Sequence, residues 1–397
     1  MVISNVVICD KDGERGAEIR VEDGFIVEIG ESLSDDNKID LNGAYIIPSL
    51  VDTNVRLNDS VLNSKNIKSL SNEAKKGGVG HIILNADSTP SIDNEVVLEF
   101  AQNSLSNLSG AKVDLMLNAL KEDMTLSNIA ILLKHGAITV YMSTIAKNNL
   151  AIKIAEYVKM YDVTLFCKAE DNSLINSGVM LDGDVSSKLG LAGIPELSEV
   201  LHVSRMLEIA KHFDISILFK SIASPRSVAL ITKAKEEGVR VSCEVSINHL
   251  VHCDEACEGF RTVAKLNPPL ACRDDMLKLQ EALKNGEIDI LTSLHQPSSP
   301  VNKEVAFFDA SYGSTSIGVS LPLYYTKLVD SGLITMQELV KISSYNPAKS
   351  IKQDAGVIKV GGSADFVIFD TTKSTKVEDI SSLFNGEELK GRVTYLG

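Results

Sequence analysis

Ala44-Tyr45-Ile46-Ile47-Pro48 marks the point where the pattern of this chain changes. Upstream, Val2-Ile3-Ser4-Asn5-Val6-Val7-Ile8, Ala17-Glu18-Ile19-Arg20-Val21 and Phe25-Ile26-Val27-Glu28-Ile29 alternate in short runs punctuated by Asp23, Gly24 and Gly30. That pattern reads as a small antiparallel sheet. Downstream, apolar strands are each followed by a segment of helical period. The strands read from the sequence are His81–Leu84, Val113–Leu117, Ala137–Val140, Thr164–Cys167, Ile215–Phe219, Arg240–Cys243 and Ile288–Leu291. Seven or eight βα units in about 300 residues suit a closed (β/α)₈ TIM-like barrel better than an open doubly wound sheet. Near the end, Ala364–Asp370 and Arg392–Leu396 return to strand pattern. The expected fold class is therefore α/β: a barrel over residues 50–353, beside a small composite β-sandwich domain built from residues 1–49 and 354–397.

Composition narrows the function classes. The 397-residue chain contains no long uncharged apolar run of the kind a membrane span needs. No basic segment followed by an apolar core and a small-residue cleavage site opens it, so a cytoplasmic protein is expected. Six scattered cysteines, Cys9, Cys167, Cys243, Cys253, Cys257 and Cys272, make no disulfide framework. The formal charge of −14 and the dispersed lysines argue against nucleic acid, which demands a basic face.

Several stretches, in order along the chain, carry a resemblance: Gly77-Gly78-Val79, Ala169-Glu170-Asp171, Gly190-Leu191-Ala192-Gly193-Ile194-Pro195, Cys243-Glu244-Val245-Ser246, His249-Leu250, Lys265-Leu266-Asn267-Pro268-Pro269-Leu270, Asn346-Pro347-Ala348 and Gly361-Gly362-Ser363-Ala364-Asp365. The chain resembles a dihydroorotase of the amidohydrolase superfamily, in the form that associates with aspartate carbamoyltransferase. The resemblance implies zinc-dependent hydrolysis or closure of a cyclic amide. The metal lowers the pKa of water to about 7 and polarises the carbonyl, while an aspartate moves the proton.

Carried over position by position, the resemblance also implies that this machinery is gone. Val51-Asp52-Thr53-Asn54-Val55-Arg56-Leu57 stands where the family carries Asp-x-His-x-His, so the two histidines fall on Asn54 and Arg56. An amide oxygen is a poor zinc ligand, and a guanidinium has no lone pair to give. The acidic residue after the fourth strand falls near Met142, the next histidine on Lys168, and the following one on Ser221 or, shifted by one, Lys220. The catalytic aspartate becomes Leu294. Among substrate contacts, the arginine becomes Asn58 and an asparagine becomes Asp87, which opposes a carboxylate substrate. Asn267, His249 and His295 persist, leaving at most a vestigial pocket of Asn58, Asp87, Asn267 and His295. The histidine inventory agrees: the seven histidines include no His-x-His.

A rival ligand cluster, His249-Leu250-Val251-His252-Cys253 with Cys257, lacks the separated pairs of a zinc finger and reads as structural. Lys168, Arg56 and Lys220 either line an anion pocket or pair with Asp52, Asp87, Glu170 or Glu244 as a salt-bridged plug; the residues leave both open. The expectation is a dihydroorotase-like chain without catalytic residues and without zinc. By resemblance it serves aspartate carbamoyltransferase as a noncatalytic structural subunit of pyrimidine biosynthesis and forms a homodimer within that assembly. Two alternatives stand beside it: an active cyclic amidohydrolase with a relocated metal or with Lys168 as base, and an anion-binding module.

Overall fold

The structure is a computed structural model that describes residues 1–35, 37–143 and 146–395 of the chain. Leu396, the last residue of the final strand expected from sequence, lies outside the described residues.

Eight parallel strands form the centre: β1 (Leu50–Val55), β2 (Val79–Leu84), β3 (Lys112–Asn118), β4 (Thr139–Met142), β5 (Thr164–Lys168), β6 (Ser216–Lys220), β7 (Val241–Ser246) and β8 (Ile290–Thr292). Each pairs in parallel with its neighbour in chain order. Such strands are covered on both faces, so they read as continuous apolar runs, and β2 and β4 are accordingly almost wholly buried. The circle closes through a parallel bridge between Val55 and His295, with Arg56 N–H donating to His295 O at 2.9 Å. A side chain stitches the same seam: the Asp52 carboxylate accepts from Thr292 Oγ1 at 2.5 Å and Ser293 N at 3.0 Å.

Local sequence explains the surrounding helices. The helix Ser64–Lys76 starts where Asn63 Oδ1 accepts from Asn66 N at 2.7 Å, and it buries Ile67, Leu70, Ser71 and Ala74, which recur at helical spacing. It ends at Gly77-Gly78. A Cβ on Gly77 would lie 1.8 Å from Ile317 O, so only glycine permits this close approach between the end of the helix and the chain following β8.

The two chain ends build a separate six-stranded sheet. In space the strands run Glu388–Thr394, Phe366–Lys376, Lys38–Pro48, Val2–Asp10, Gly13–Glu22, Phe25–Gly30. This sheet is not wholly antiparallel, as the first fifty residues suggested: Val2–Asp10 runs parallel to Lys38–Pro48. The reason is the intervening hairpin, which takes the chain to the far side of the first strand and gives it length enough to return in the same direction. Bulges at Ile3/Val6, Arg20/Val21 and Asp370/Ser374 interrupt the ladder and bend it. The sheet has its own core of Ile3, Ile8, Ile19, Ile26, Ile46, Phe366 and Ile368, distinct from the barrel core. Among the described residues, no helix is long and apolar enough to cross a membrane.

Candidate functional site

The C-terminal ends of barrel strands carry the reactive groups of barrel enzymes. In this chain the ends of β1, β2, β6 and β7 are occupied by a closed hydrogen-bond network. Asn54, on β1, uses its whole amide: Nδ2 donates to Ser221 Oγ at 2.5 Å and Glu244 Oε1 at 2.6 Å, while Oδ1 accepts from Asn85 Nδ2 at 2.9 Å and Arg56 Nη1 at 3.5 Å. Two donors and two lone pairs are all that an amide side chain has. Glu244, on β7 and fully buried, accepts further from Thr53 Oγ1 at 2.5 Å and Ser221 N at 3.2 Å.

Lys220, at the end of β6, closes the network. Its Nζ donates to Thr53 O at 2.6 Å and Asn85 Oδ1 at 2.5 Å, and it stands 5.1 Å from the ring centre of Tyr141 and 5.5 Å from that of Phe166. Burial pulls the Lys220 ammonium down to about 8, while the negative charges of Glu244, Asp87 and Asp52 oppose that fall. Burial raises Glu244 and Asp52 in turn, the first opposed by Lys220 and the second by its hydrogen bonds to Ser293 and Thr292. Lys220 and Glu244 offset one another in a buried interior, where an unpaired charge is expensive.

Arg56, which follows β1, extends the network to Asp87. Nε and Nη2 both reach Asp87 Oδ2, at 3.2 and 2.8 Å, and Nη2 contacts Tyr141 Oη at 3.3 Å. Burial works against both ions, yet Arg56 is held above its ordinary value and Asp87 below the usual carboxylate range, because each faces the other. Lys168 Nζ is bound by Glu170 Oε1 at 2.9 Å. Of the two arrangements open from sequence for these cations, the observed geometry is the internally paired plug: Arg56 with Asp87, Lys168 with Glu170, and Lys220 with a carbonyl and an amide oxygen.

Asn54, Arg56 and Ser221 thus meet in one network, with Asp87 joined through Arg56. Met142 is buried in the barrel core, and Leu294 is buried at the end of β8. Ser221 and Leu294 both adopt left-handed backbone, at φ +53° and +51°. A non-glycine residue there holds of order 1–2 kcal/mol of strain, and such residues gather at functional sites.

The four positions expected to form a vestigial pocket share no hydrogen bond with one another among the described residues. Asn58 is exposed and donates to Asp59 Oδ2 at 2.8 Å, because the chain leaves the barrel in a short turn at Asn58–Ser60. Asp87 is taken by Arg56. His295 Nδ1 accepts from Ser316 N at 3.3 Å and Ile317 N at 3.5 Å, and burial lowers it to about 4. Asn267 Oδ1 is buried without a partner among the described residues. The cluster after β7 disperses as well. His249 bonds Ser246 Oγ at 2.8 Å and Pro268 O at 3.1 Å, the His252 ring packs 4.8 Å from Phe384, and Cys257 Sγ points to Ala264 O.

The donor set does not fit zinc at the position implied by the resemblance. The amide oxygen of Asn54 is saturated, and Arg56 and Lys220 bring cations. Among the described residues, no three His, Cys, Asp or Glu side chains gather as a ligand group. Sequence reasoning missed Thr53, Asn85, Tyr141 and Thr292. Thr53 and Asn85 each lie at the C-terminal end of a barrel strand, a signal that could have nominated them.

Comparison with known proteins agrees with this fold. The profile of the amidohydrolase family matches residues 45–395. The dihydroorotase of Ruminiclostridium cellulolyticum is 33% identical over 417 aligned residues, covering 100% of this chain and 96% of that protein. The dihydroorotase of a Thermoanaerobacter species is also 33% identical, over 99% of this chain and 94% of its own length. Among solved structures, the L-hydantoinase (dihydropyrimidinase) of Arthrobacter aurescens superposes with a TM-score of 0.87 at 23% identity, covering 98% of this chain and 93% of that one.

Proposed function

The chain belongs to the amidohydrolase family, and from that premise we propose that it is a dihydroorotase homologue retained without the family's metal chemistry. Its role in this reading is that of a noncatalytic structural subunit of aspartate carbamoyltransferase, metal-free, cytoplasmic and homodimeric within the assembly.

The observation that carries the first half is the saturation of Asn54. A metal ligand needs a free lone pair facing an open position, and here both lone pairs and both amide hydrogens are used inside the protein. Around it, Lys220 and Arg56 supply positive charge from the chain itself. Leu294, at the family's aspartate position, can neither bind metal nor carry a proton. The second half rests on the resemblance to the dihydroorotases that associate with aspartate carbamoyltransferase. A fold alone does not fix a function, so the partner is what the experiment must find.

That experiment is co-expression with aspartate carbamoyltransferase of the same organism, followed by size exclusion with light scattering, a transcarbamoylase assay and metal analysis of the chain alone. A stable, metal-free complex whose transcarbamoylase activity requires this chain is the expected result. A lone chain that carries about one zinc per subunit and hydrolyses dihydroorotate overturns the reading.

A further inference from the structure

Three consecutive outer helices of the barrel, Glu95–Ser104, Ile129–Lys134 and Asn148–Tyr161, pack side by side. Each buries the stripe expected of a helix that covers a barrel: Leu98 and Ala101 in the first, Ile129 and Leu132 in the second, Ala151, Ile154, Ala155 and Val158 in the third. Their opposite faces are not polar throughout. Val96 is 77% exposed, Phe100 45%, Ile131 44% and Ile152 41%. Val96 and Phe100 stand four residues apart and so share one face of their helix. The helices Ser64–Lys76 and Pro225–Glu236, elsewhere on the same ring, expose no large apolar side chain.

The charges on this face divide by helix. Glu95–Ser104 carries Glu95 and Glu99 and no cation, Ile129–Lys134 carries Lys134 alone, and Asn148–Tyr161 carries Lys153 and Lys159 against Glu156. Within these bounds the three helices together are neutral, in a chain whose net charge is −14. Glu99, Lys134, Lys153, Glu156 and Lys159 are exposed, and none has an ion-pair partner among the described residues. On other outer helices, by contrast, Lys76, Arg226 and Lys278 are paired with Glu73, Glu196 and Asp275.

That division selects the occupant. A partner of one sign would meet like charge on half of the face, and two copies of so acidic a chain repel wherever they meet through surface that carries the net charge. This face carries none. A two-fold axis brings residue i of one copy to residue j of the other and j to i. Here it lays the acidic helix of each copy on the lysine-bearing helices of its partner, with the exposed apolar side chains between them. The face is self-complementary in charge and apolar in its interior, which is what an isologous contact requires.

We propose that these three helices form a two-fold contact with a second copy of this chain, in which Val96, Phe100 and Ile131 supply the apolar centre and Glu99 of each copy meets Lys134 of the other. The inference rests on the homodimer of the reading above and gives it a surface; it does not depend on the carbamoyltransferase. The test compares full-length wild type with the double variant Val96→Ser/Ile131→Ser, with Glu99→Lys and with Lys134→Glu. Val301→Ser, at a 75% exposed site outside the face, serves as control. All variants are first checked for unchanged circular dichroism and unfolding midpoint. Self-association is then followed by light scattering over a dilution series at low and high salt, and binding to the carbamoyltransferase is measured in parallel.

The expected result is a wild-type dimer that weakens with salt, self-association at least about tenfold weaker for Val96→Ser/Ile131→Ser, and no change for Val301→Ser. Glu99→Lys and Lys134→Glu each weaken the dimer alone, and an equal mixture of the two restores it, because the mixed pair sets lysine against glutamate at both contacts. A merely structural role for these side chains gives no such recovery. A wild-type dimer that every variant forms equally overturns the surface and leaves the homodimer standing, as does a mixture no better than its components. A wild type that stays monomeric overturns both, while its complex with the carbamoyltransferase still decides the subunit reading separately. Variants that dimerise normally but lose the carbamoyltransferase overturn the second copy as occupant.

Discussion

Replacing Lys220 with methionine tests whether the barrel mouth is held by an internal cation. Methionine roughly preserves the side-chain volume, so the substitution removes chiefly the ammonium and its bonds to Thr53 O and Asn85 Oδ1. Glu244, fully buried, then loses the positive charge that opposes its desolvation. Leaving a buried charge uncompensated destabilises by about 3–5 kcal/mol. With unfolding entropy near 2.1 cal/mol/K per residue, a chain of 397 residues loses about 5 °C of melting temperature for about 4 kcal/mol. The chain has no tryptophan, so far-UV circular dichroism, thermal and in urea, is the suitable readout. The double variant Lys220→Met/Glu244→Gln removes the orphaned carboxylate as well and should recover more than half of the loss, since the two sites are coupled. A single variant within about 1 kcal/mol of wild type, or a double variant no better than the single, refutes the argument that Lys220 balances Glu244.

Other outcomes follow from the same geometry. Asp87→Asn strips the carboxylate from Arg56; the pair is mostly but not fully buried, so a loss of about 2 kcal/mol is expected in urea unfolding. His295 is lowered by burial to about 4 against 6.5 when unfolded. Its contribution is complete above pH 6.5 and is lost as pH falls toward 4, because the unfolded chain then binds a proton that the folded one refuses. His295→Gln should flatten the acid limb of the stability curve by up to about 1.4 kcal/mol per pH unit between pH 6.5 and 4; an unchanged slope shows that the imidazole is not held neutral. Added zinc should leave the thermal midpoint of the wild-type chain unmoved, whereas a ligand that binds only the folded state would raise it.

The barrel was legible because parallel strands buried on both faces appear as apolar runs, and seven of the eight could be placed from Val79–Leu84 to Ile290–Thr292 within about three residues. The direction in which Val2–Asp10 pairs was not legible, since periodicity reports which face is buried and not which neighbour is met. In the site, the substitutions at Asn54 and Arg56 declared themselves through their chemistry. Their partners were legible in part: Asp87 and Glu244 stood among the carboxylates open to pairing, whereas Asn85, which follows β2, has no charge to mark it. The ambiguity between Lys220 and Ser221 has a physical source: Ser221 is left-handed, so two consecutive residues both face the network rather than alternating.

The terminal sheet sets a constraint on biosynthesis. Lys38–Pro48 finds its neighbour Phe366–Phe369 only when more than 300 residues of chain separate them. At about 5–20 residues per second on the ribosome, that strand edge waits roughly 15–60 s for its partner. A chain terminated early would carry a finished hairpin, much of a barrel and one long unpaired edge, a species prone to edge-to-edge aggregation. The sheet therefore closes late, and the edge of Lys38–Pro48 is protected only once Phe366–Phe369 has been made.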